Sequence, residues 1–272
     1  MTAVAGWGPG FGDVTEPEPL ATDRRAWVEQ IMGMPVSLHV RGAGARDASA
    51  AYAAHRVFAD LRAADAVFST YREDSEISRL ARGELTLAGC SLAVREVAAL
   101  SEIARVRTDG YVDAWAAPGR AGTFDPTVLV KTWAVARSVR FFDDLPGLSL
   151  AIGAGGDILV RPGADLEPWQ IGIEDPRERS TILATVPVHD GGVATSGVAA
   201  RGAHIVDPHT GLAATQVLSA TVVGPSLLWA DVWATALVAR GADAVDWTAT
   251  LHGTSGLLVL ADGRVHRWQN AP

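Results

Sequence analysis

A chain of 272 residues is long enough to bury a sizeable apolar core. Its formal net charge of −8, with no stripe of Lys and Arg, argues against electrostatic binding to nucleic acid or to a membrane surface. No apolar run approaches the roughly 18 residues of a membrane span, no secretory leader is evident, and the lone cysteine, Cys90, excludes an internal disulfide and a thiolate zinc cluster, so the expectation is a cytoplasmic protein without membrane insertion.

The start of the chain is rich in Gly and Pro (Gly6, Gly8, Pro9, Gly10, Gly12, Pro17, Pro19) and has no hydrophobic periodicity. Residues 1–25 are therefore expected to form a disordered tail, and residues 26–272 a single domain. Residues 34–41 (MPVSLHVR) alternate apolar and polar positions and predict an opening strand. Residues 48–68 carry apolar side chains at helical spacing, as do residues 92–106. Between these helices the polar stretch 71–76 reads as a loop, with Ser75 capping a short turn.

The Asp125-Pro126 pair signals a third helix over residues 128–142. Short β-rich runs then follow at 148–152, 158–161, 169–174, 182–189, 192–195, 218–223, 256–260 and 265–268, separated by Gly, Pro or Asp. The last two flank a hairpin turn, Ala261-Asp262-Gly263. A fourth helical run, 227–241, is inserted among the late strands. Helices first and strands later, without regular βα alternation, give an α+β class with antiparallel sheets. No internal repeat stands out.

Four segments could carry chemistry. Asp231 and Thr235 stand four apart in the apolar helical run, so their oxygens share one face where a hard cation such as Mg²⁺ could sit. A carboxylate there, among Trp229, Trp233, Leu237 and Val238, needs compensation. The alternative is that Asp231 caps the helix and Thr235 bonds back to its backbone. His204 precedes the Asp207-Pro208 turn and is a candidate general base or phosphate ligand, or else a turn-supporting histidine; His209 is expected to be exposed. Thr195-Ser196-Gly197 offers two hydroxyls and close backbone approach to a phosphate, or is a plain polar turn. Gly153–Asp157 lacks G-x-G-x-x-G spacing and reads as a tight turn rather than a dinucleotide site.

Among 23 cationic side chains only one, Lys131, is a lysine. It marks either a site that needs a compact ammonium or an accident of Arg-rich usage.

In chain order these segments resemble the ApbE family, the FAD:protein FMN transferases. Met32-Gly33-Met34 is similar to the family's M-G-T, residues 69–76 (STYREDSE) to its S-x-Y-R-x-D-S-E loop, and residues 122–127 (GTFDPT) to G-x-F-D-P-T. Lys131-Thr132-Trp133-Ala134 resembles K-G-Y-A, and Gly155-Gly156-Asp157 resembles G-G-D. Thr195 to Gly197 matches T-S-G, His204 to Gly211 matches H-I-I-D-P-x-T-G, and Ala230 to Thr235 matches A-D-A-x-x-T. Met34 departs from the family's Thr and Thr132 from its Gly, and a shortened spacing puts the D-P-T and K-G elements on one helix, as in a compact branch of the family.

The resemblance implies two similar antiparallel-sheet units with helices packed around a flavin cleft. It implies that Asp231, Thr235 and the carbonyl of Ala134 hold Mg²⁺, that Met32, Tyr71, Thr123, Phe124, Asp125, Lys131 and Ile205 line the FAD site, and that His204 is the nearest acid/base candidate. Thr195 and Ser196 are placed at the phosphates. The implied reaction is Mg²⁺-dependent transfer of FMN from FAD to a Ser/Thr hydroxyl of an acceptor protein, with release of AMP. Hydrolysis of the FAD pyrophosphate to FMN and AMP, or FAD binding without catalysis, are the alternatives.

Overall fold

The computed structural model describes residues 23–116, 122–164, 166–197 and 205–272. Two halves repeat one pattern, a hairpin, a helical segment and a second hairpin. In the first half, β1 (Arg24–Ile31) and β2 (Met34–Arg41) pair across the two-residue turn Met32-Gly33, where both residues have positive φ. The helices α1 (Ala48–Phe68), α2 (Glu76–Ala81), α3 (Leu92–Arg107) and α4 (Thr127–Ser138) follow, then the hairpin of β3 (Ser149–Ala154) and β4 (Asp157–Arg161). In the second half, β7 (Gly191–Gly197) and β8 (Val217–Gly224) precede α5 (Leu227–Arg240) and α6 (Ala244–Trp247), and β9 (Ser255–Leu260) and β10 (Val265–Gln269) close the chain. Between the halves lies a separate hairpin, β5 (Trp169–Asp175) and β6 (Glu178–Val188).

The two expected units are thus fused into a single eight-stranded sheet, of order β1-β2-β3-β4-β7-β8-β9-β10 and antiparallel throughout. Because strand side chains alternate between faces, the sheet has two cores. Val36, Leu38 and Val40 of β2, Leu150 and Ile152 of β3, and Ala220 and Val222 of β8 pack with the helices. Ala151, Val160, Val193, Val223 and Leu257 pack on the opposite face against Ile171, Ile173, Val186 and Val188 of the β5–β6 hairpin. The result is three layers: helices, sheet and hairpin.

Local signals explain most of the boundaries. The Ser75 hydroxyl caps α2 by accepting the Ser78 N–H at 3.0 Å, so the expected short turn is a short helix. The turn from β3 to β4 is Gly155-Gly156, with φ of 61° and 97°, the left-handed geometry of a two-residue hairpin. Three features differ from the sequence reading. Strand β1 was not foreseen; it is an edge strand with Val28 exposed, and it lacks a clean apolar alternation. Arg24 and Arg25 of the expected tail stand in it, while residues 1–22 lie outside the described residues. Thr195-Ser196-Gly197 is not a turn but the end of β7. Finally, a run of short helical turns over residues 241–250 follows α5.

Helix α5 reaches the sheet through a position that admits no side chain. A Cβ on Gly192 of β7 would lie 2.7 Å from Leu227 Cβ and 2.8 Å from Leu227 N. Gly192→Ala is therefore expected to lower the unfolding free energy by about 1–3 kcal/mol through overpacking, read from urea denaturation. Gly147→Ala, where a Cβ meets nothing within 4 Å, should change it by less than about 0.5 kcal/mol. Equal midpoints for the two variants would contradict this close approach.

Candidate active site

Ten of the fourteen residues of α5 are buried, and Asp231 is one of them, 4% exposed among Leu227, Leu228, Ala230, Val232 and Ala234. Thr235 stands one turn on, its hydroxyl 3.0 Å from the Ser196 hydroxyl at the end of β7. The neighbouring helix α4 supplies two groups to Asp231. The Thr132 hydroxyl donates to Asp231 Oδ2 at 3.4 Å, and the Lys131 ammonium lies 3.5 Å from the same oxygen.

Lys131 also pairs with Asp157 Oδ2, at the start of β4 directly after the Gly155-Gly156 turn. The other carboxylate oxygen, Oδ1, accepts the Thr195 N–H at 3.0 Å. Asp157 is 1% exposed, so among the described residues two buried carboxylates face a single ammonium.

The electrostatics follow from that arrangement. Burial first, and then the nearby Asp157 charge, push the Asp231 carboxyl up to about 7 against the opposing pull of Lys131 and the Thr132 hydroxyl. Burial also works against the charge on Lys131. Asp231 and Asp157 outweigh it, so the ammonium is held above its ordinary pKa.

These groups border a cleft of about 830 Å³ at one end of the sheet, where all three layers meet, within the usual size range of small-molecule sites. The helices contribute Thr127, Lys131, Asp231 and Thr235, and the sheet contributes Ser37, Asp157, Thr195, Ser196 and Ser219. Gly172 to Pro176 of the hairpin form the third side, and Ile205 adds an apolar wall. The Thr195 and Thr221 hydroxyls bond each other at 2.9 Å, and Ser219 Oγ is buried without a partner among the described residues. A register shift in β8 between Val217 and Ser219 marks a bulge at this wall.

Of the residues expected at the site, Lys131, Thr195, Ser196, Ile205, Asp231 and Thr235 line this one cleft. Others do not. Tyr71 is 96% exposed in the loop before α2, and Met32 is half-buried at the β1–β2 turn. Phe124 is buried against Trp115, ring centroids 4.9 Å apart, with Thr123 half-buried beside it. Asp125 accepts the Thr127 N–H at the start of α4. Ala134 is buried within α4, where its carbonyl belongs to the helical ladder. His204 lies outside the described residues. The turn after it is closed by Asp207, which accepts the His209 N–H and the Thr210 hydroxyl, and His209 packs edge-on to Tyr111 at 4.6 Å.

Asp157 and Thr132 join the site without having been singled out as site residues. The G-G-D match was the one signal for Asp157; for Thr132 it was the departure from Gly. The donor set is oxygen only, with carboxylate charge in excess of ammonium, which suits a hard cation such as Mg²⁺. Among the described residues no group of three or more His, Cys, Asp or Glu is placed to hold a metal. A cation here would therefore join Asp231 to hydroxyl and carbonyl oxygens rather than enter a carboxylate cage.

Comparison with known proteins bears on the family and the fold. A sequence model described as the ApbE family matches residues 117–258, just over half of the chain. The FAD:protein FMN transferase of Klebsiella pneumoniae is 30% identical over 129 residues, covering 43% of this chain and 37% of that protein. The corresponding protein of Salmonella typhimurium is 28% identical over 123 residues, covering 41% of this chain and 35% of its own length. The chain thus spans little more than a third of the curated relatives it matches. Among solved structures, the ApbE protein of Thermotoga maritima superposes with a TM-score of 0.80 at 20% identity, over 91% of this chain and 97% of that one. The flavin transferase ApbE of Vibrio cholerae gives 0.76 at 21% identity, over 92% and 97%.

Removing the Lys131 ammonium, the one cation among the described residues that pairs with both buried carboxylates, should be costly. Lys131→Met is expected to lower the unfolding free energy by about 3 kcal/mol at pH 8, the scale for breaking a buried ion pair. The folded-state pKa of Asp231 lies above its unfolded value, so the carboxyl takes up a proton as pH falls and the repulsion is relieved. The loss should therefore shrink markedly at pH 5.5. Denaturation at the two pH values checks this, and a loss that is the same at both would contradict the charge cluster.

Proposed function

The chain belongs to the ApbE family, and from that premise we propose that it transfers FMN from FAD to a Ser or Thr hydroxyl of an acceptor protein, releasing AMP, in the cytoplasm. The observation that carries the proposal is the convergence of Lys131, Thr195, Ser196, Ile205, Asp231 and Thr235 on one cleft. These residues come from two helices, a strand and a loop, and the sequence singles them out by spacing, residue chemistry and motif order. Met32, Tyr71, Thr123, Phe124 and Asp125 do not line the cleft, and the proposal does not lean on them.

In the proposed reaction the acceptor oxygen forms a new bond to the FMN-side phosphorus. The bond from that phosphorus to the bridging oxygen breaks, and AMP leaves with the bridging oxygen. The hydroxyl proton passes to a base, for which His204 is the proposed acceptor or orienting group. Asp231 and Thr235, which border the cleft, would hold Mg²⁺; the Ala134 carbonyl, engaged in the α4 ladder and outside the cleft lining, is not relied on as the third ligand. When bound, the ion would supply Lewis-acid neutralisation of pyrophosphate charge. Lys131 brings a compact ammonium to the same wall, Thr195 and Ser196 offer hydroxyl donors to phosphate oxygens, and Ile205 gives an apolar surface.

The test is incubation with FAD, Mg²⁺ and an acceptor domain, reading flavin on the acceptor and AMP in solution. Labelled acceptor with stoichiometric AMP is expected, and Asp231→Ala should lower the rate by at least about 100-fold, the scale for loss of one electrostatic stabiliser. Lys131→Arg keeps the charge but exchanges a compact ammonium for a planar fork, and should lower turnover too. Free FMN and AMP with unlabelled acceptor would replace the transferase reading by pyrophosphate hydrolysis. Unchanged FAD would leave a binding protein.

A further inference from the structure

Thr132 is fully buried on α4, in the position where the family's K-G-Y-A element has a Gly with no side chain at all. Its hydroxyl has two acceptors within reach, the Leu129 carbonyl at 3.3 Å and Asp231 Oδ2 at 3.4 Å. A threonine inside a helix ordinarily bonds back to a carbonyl of the preceding turn. Here a second acceptor, the Asp231 carboxyl, lies at nearly the same distance, a bond to it is charge-assisted when that group is ionised, and burial limits water as a competitor. The side chain is β-branched, so its rotamers within the helix are few.

Both groups that α4 sends to Asp231, the Thr132 hydroxyl and the Lys131 ammonium, fall on Oδ2. Among the described residues no hydrogen bond or ion pair falls on Oδ1, and Asp231 lines the cleft. Holding one oxygen of a carboxylate fixes the plane of the whole group.

We infer that Thr132 is a positioning residue for this chain's metal site, pinning Asp231 Oδ2 so that the other oxygen is presented to a divalent cation in the cleft. The inference rests on the proposed Mg²⁺ reading. Groups that orient a metal ligand in this way are typically worth 10–100-fold in metal affinity.

The discriminating pair is Thr132→Ser, which keeps the hydroxyl, and Thr132→Ala, which removes it; both lose the methyl and so share any packing defect. Mn²⁺ alone serves as the probe, titrated against the full-length protein by electron paramagnetic resonance, with thermal melting as the check on folding. Thr132→Ser should bind within about threefold of the wild type, and Thr132→Ala about tenfold more weakly. With FAD and acceptor present, the Ala variant should also need about tenfold more Mg²⁺ for half-maximal rate, a shift that a purely structural role would not produce at equal melting temperature. Equal Mn²⁺ affinity for the Ser and Ala variants, with Asp231→Ala abolishing binding, would overturn the role of Thr132 and leave the metal reading standing. No Mn²⁺ binding by the wild type, or binding unaffected by Asp231→Ala, would overturn both.

Discussion

The Lys131 ammonium, set between Asp157 and Asp231, is the interaction on which the arrangement of the site depends. In a buried setting two carboxylates repel strongly, and their shared cation draws three separate parts of the chain together: α4, the turn into β4, and α5. The Thr195 N–H bonded to Asp157 adds the end of β7 to the same cluster. Among the described residues one positive group faces two negative ones, and this imbalance adds to burial, the larger cause, in raising the pKa of Asp231. A site left with surplus negative charge against a wall of hydroxyls is suited to a hard cation and its anionic ligand, and poorly suited to an apolar one.

The sheet distributes the hydroxyls by its two-residue period. Thr195 and Ser196 are adjacent in β7 and therefore point to opposite faces. Thr195 bonds Thr221 across the strand pair, on the parity of Val193, which belongs to the hairpin-side core. Ser196 bonds Thr235 on α5, in the helical layer. The end of a single strand thus serves both sides of the cleft, which is why the cleft opens where the layers meet and not within one of them.

Much of this was legible in the sequence. The limits of α1 and β2 followed from periodicity alone, because each has a regular apolar face bounded by polar residues. The helical pairing of Asp231 with Thr235 was equally plain. Strand β1 was hidden because an exposed edge strand that begins Arg24-Arg25 need not alternate cleanly. The role of Asp157 was hidden for another reason. Locally it is only the residue after a Gly-Gly turn, and its partners Lys131 and Thr195 are set by packing between elements distant in sequence. The contact of Thr132 with Asp231, 99 positions apart in the chain, has no local signature either.

The seam between the halves, the β4–β7 pairing, consists of Ile158 with Val193, Leu159 with Gly192 and Val160 with Gly191. Lys131 and Asp157 lie on one side of it and Asp231 on the other. Among the described residues, the first half pairs Lys131 with Asp157, whereas Asp231 of the second half meets its cation across the seam. The repetition is therefore one of topology and not of autonomy. A repeated topology is thus electrostatically asymmetric: the ammonium that faces Asp231 is carried by the other half, so this charge cluster is assembled only where the two halves meet.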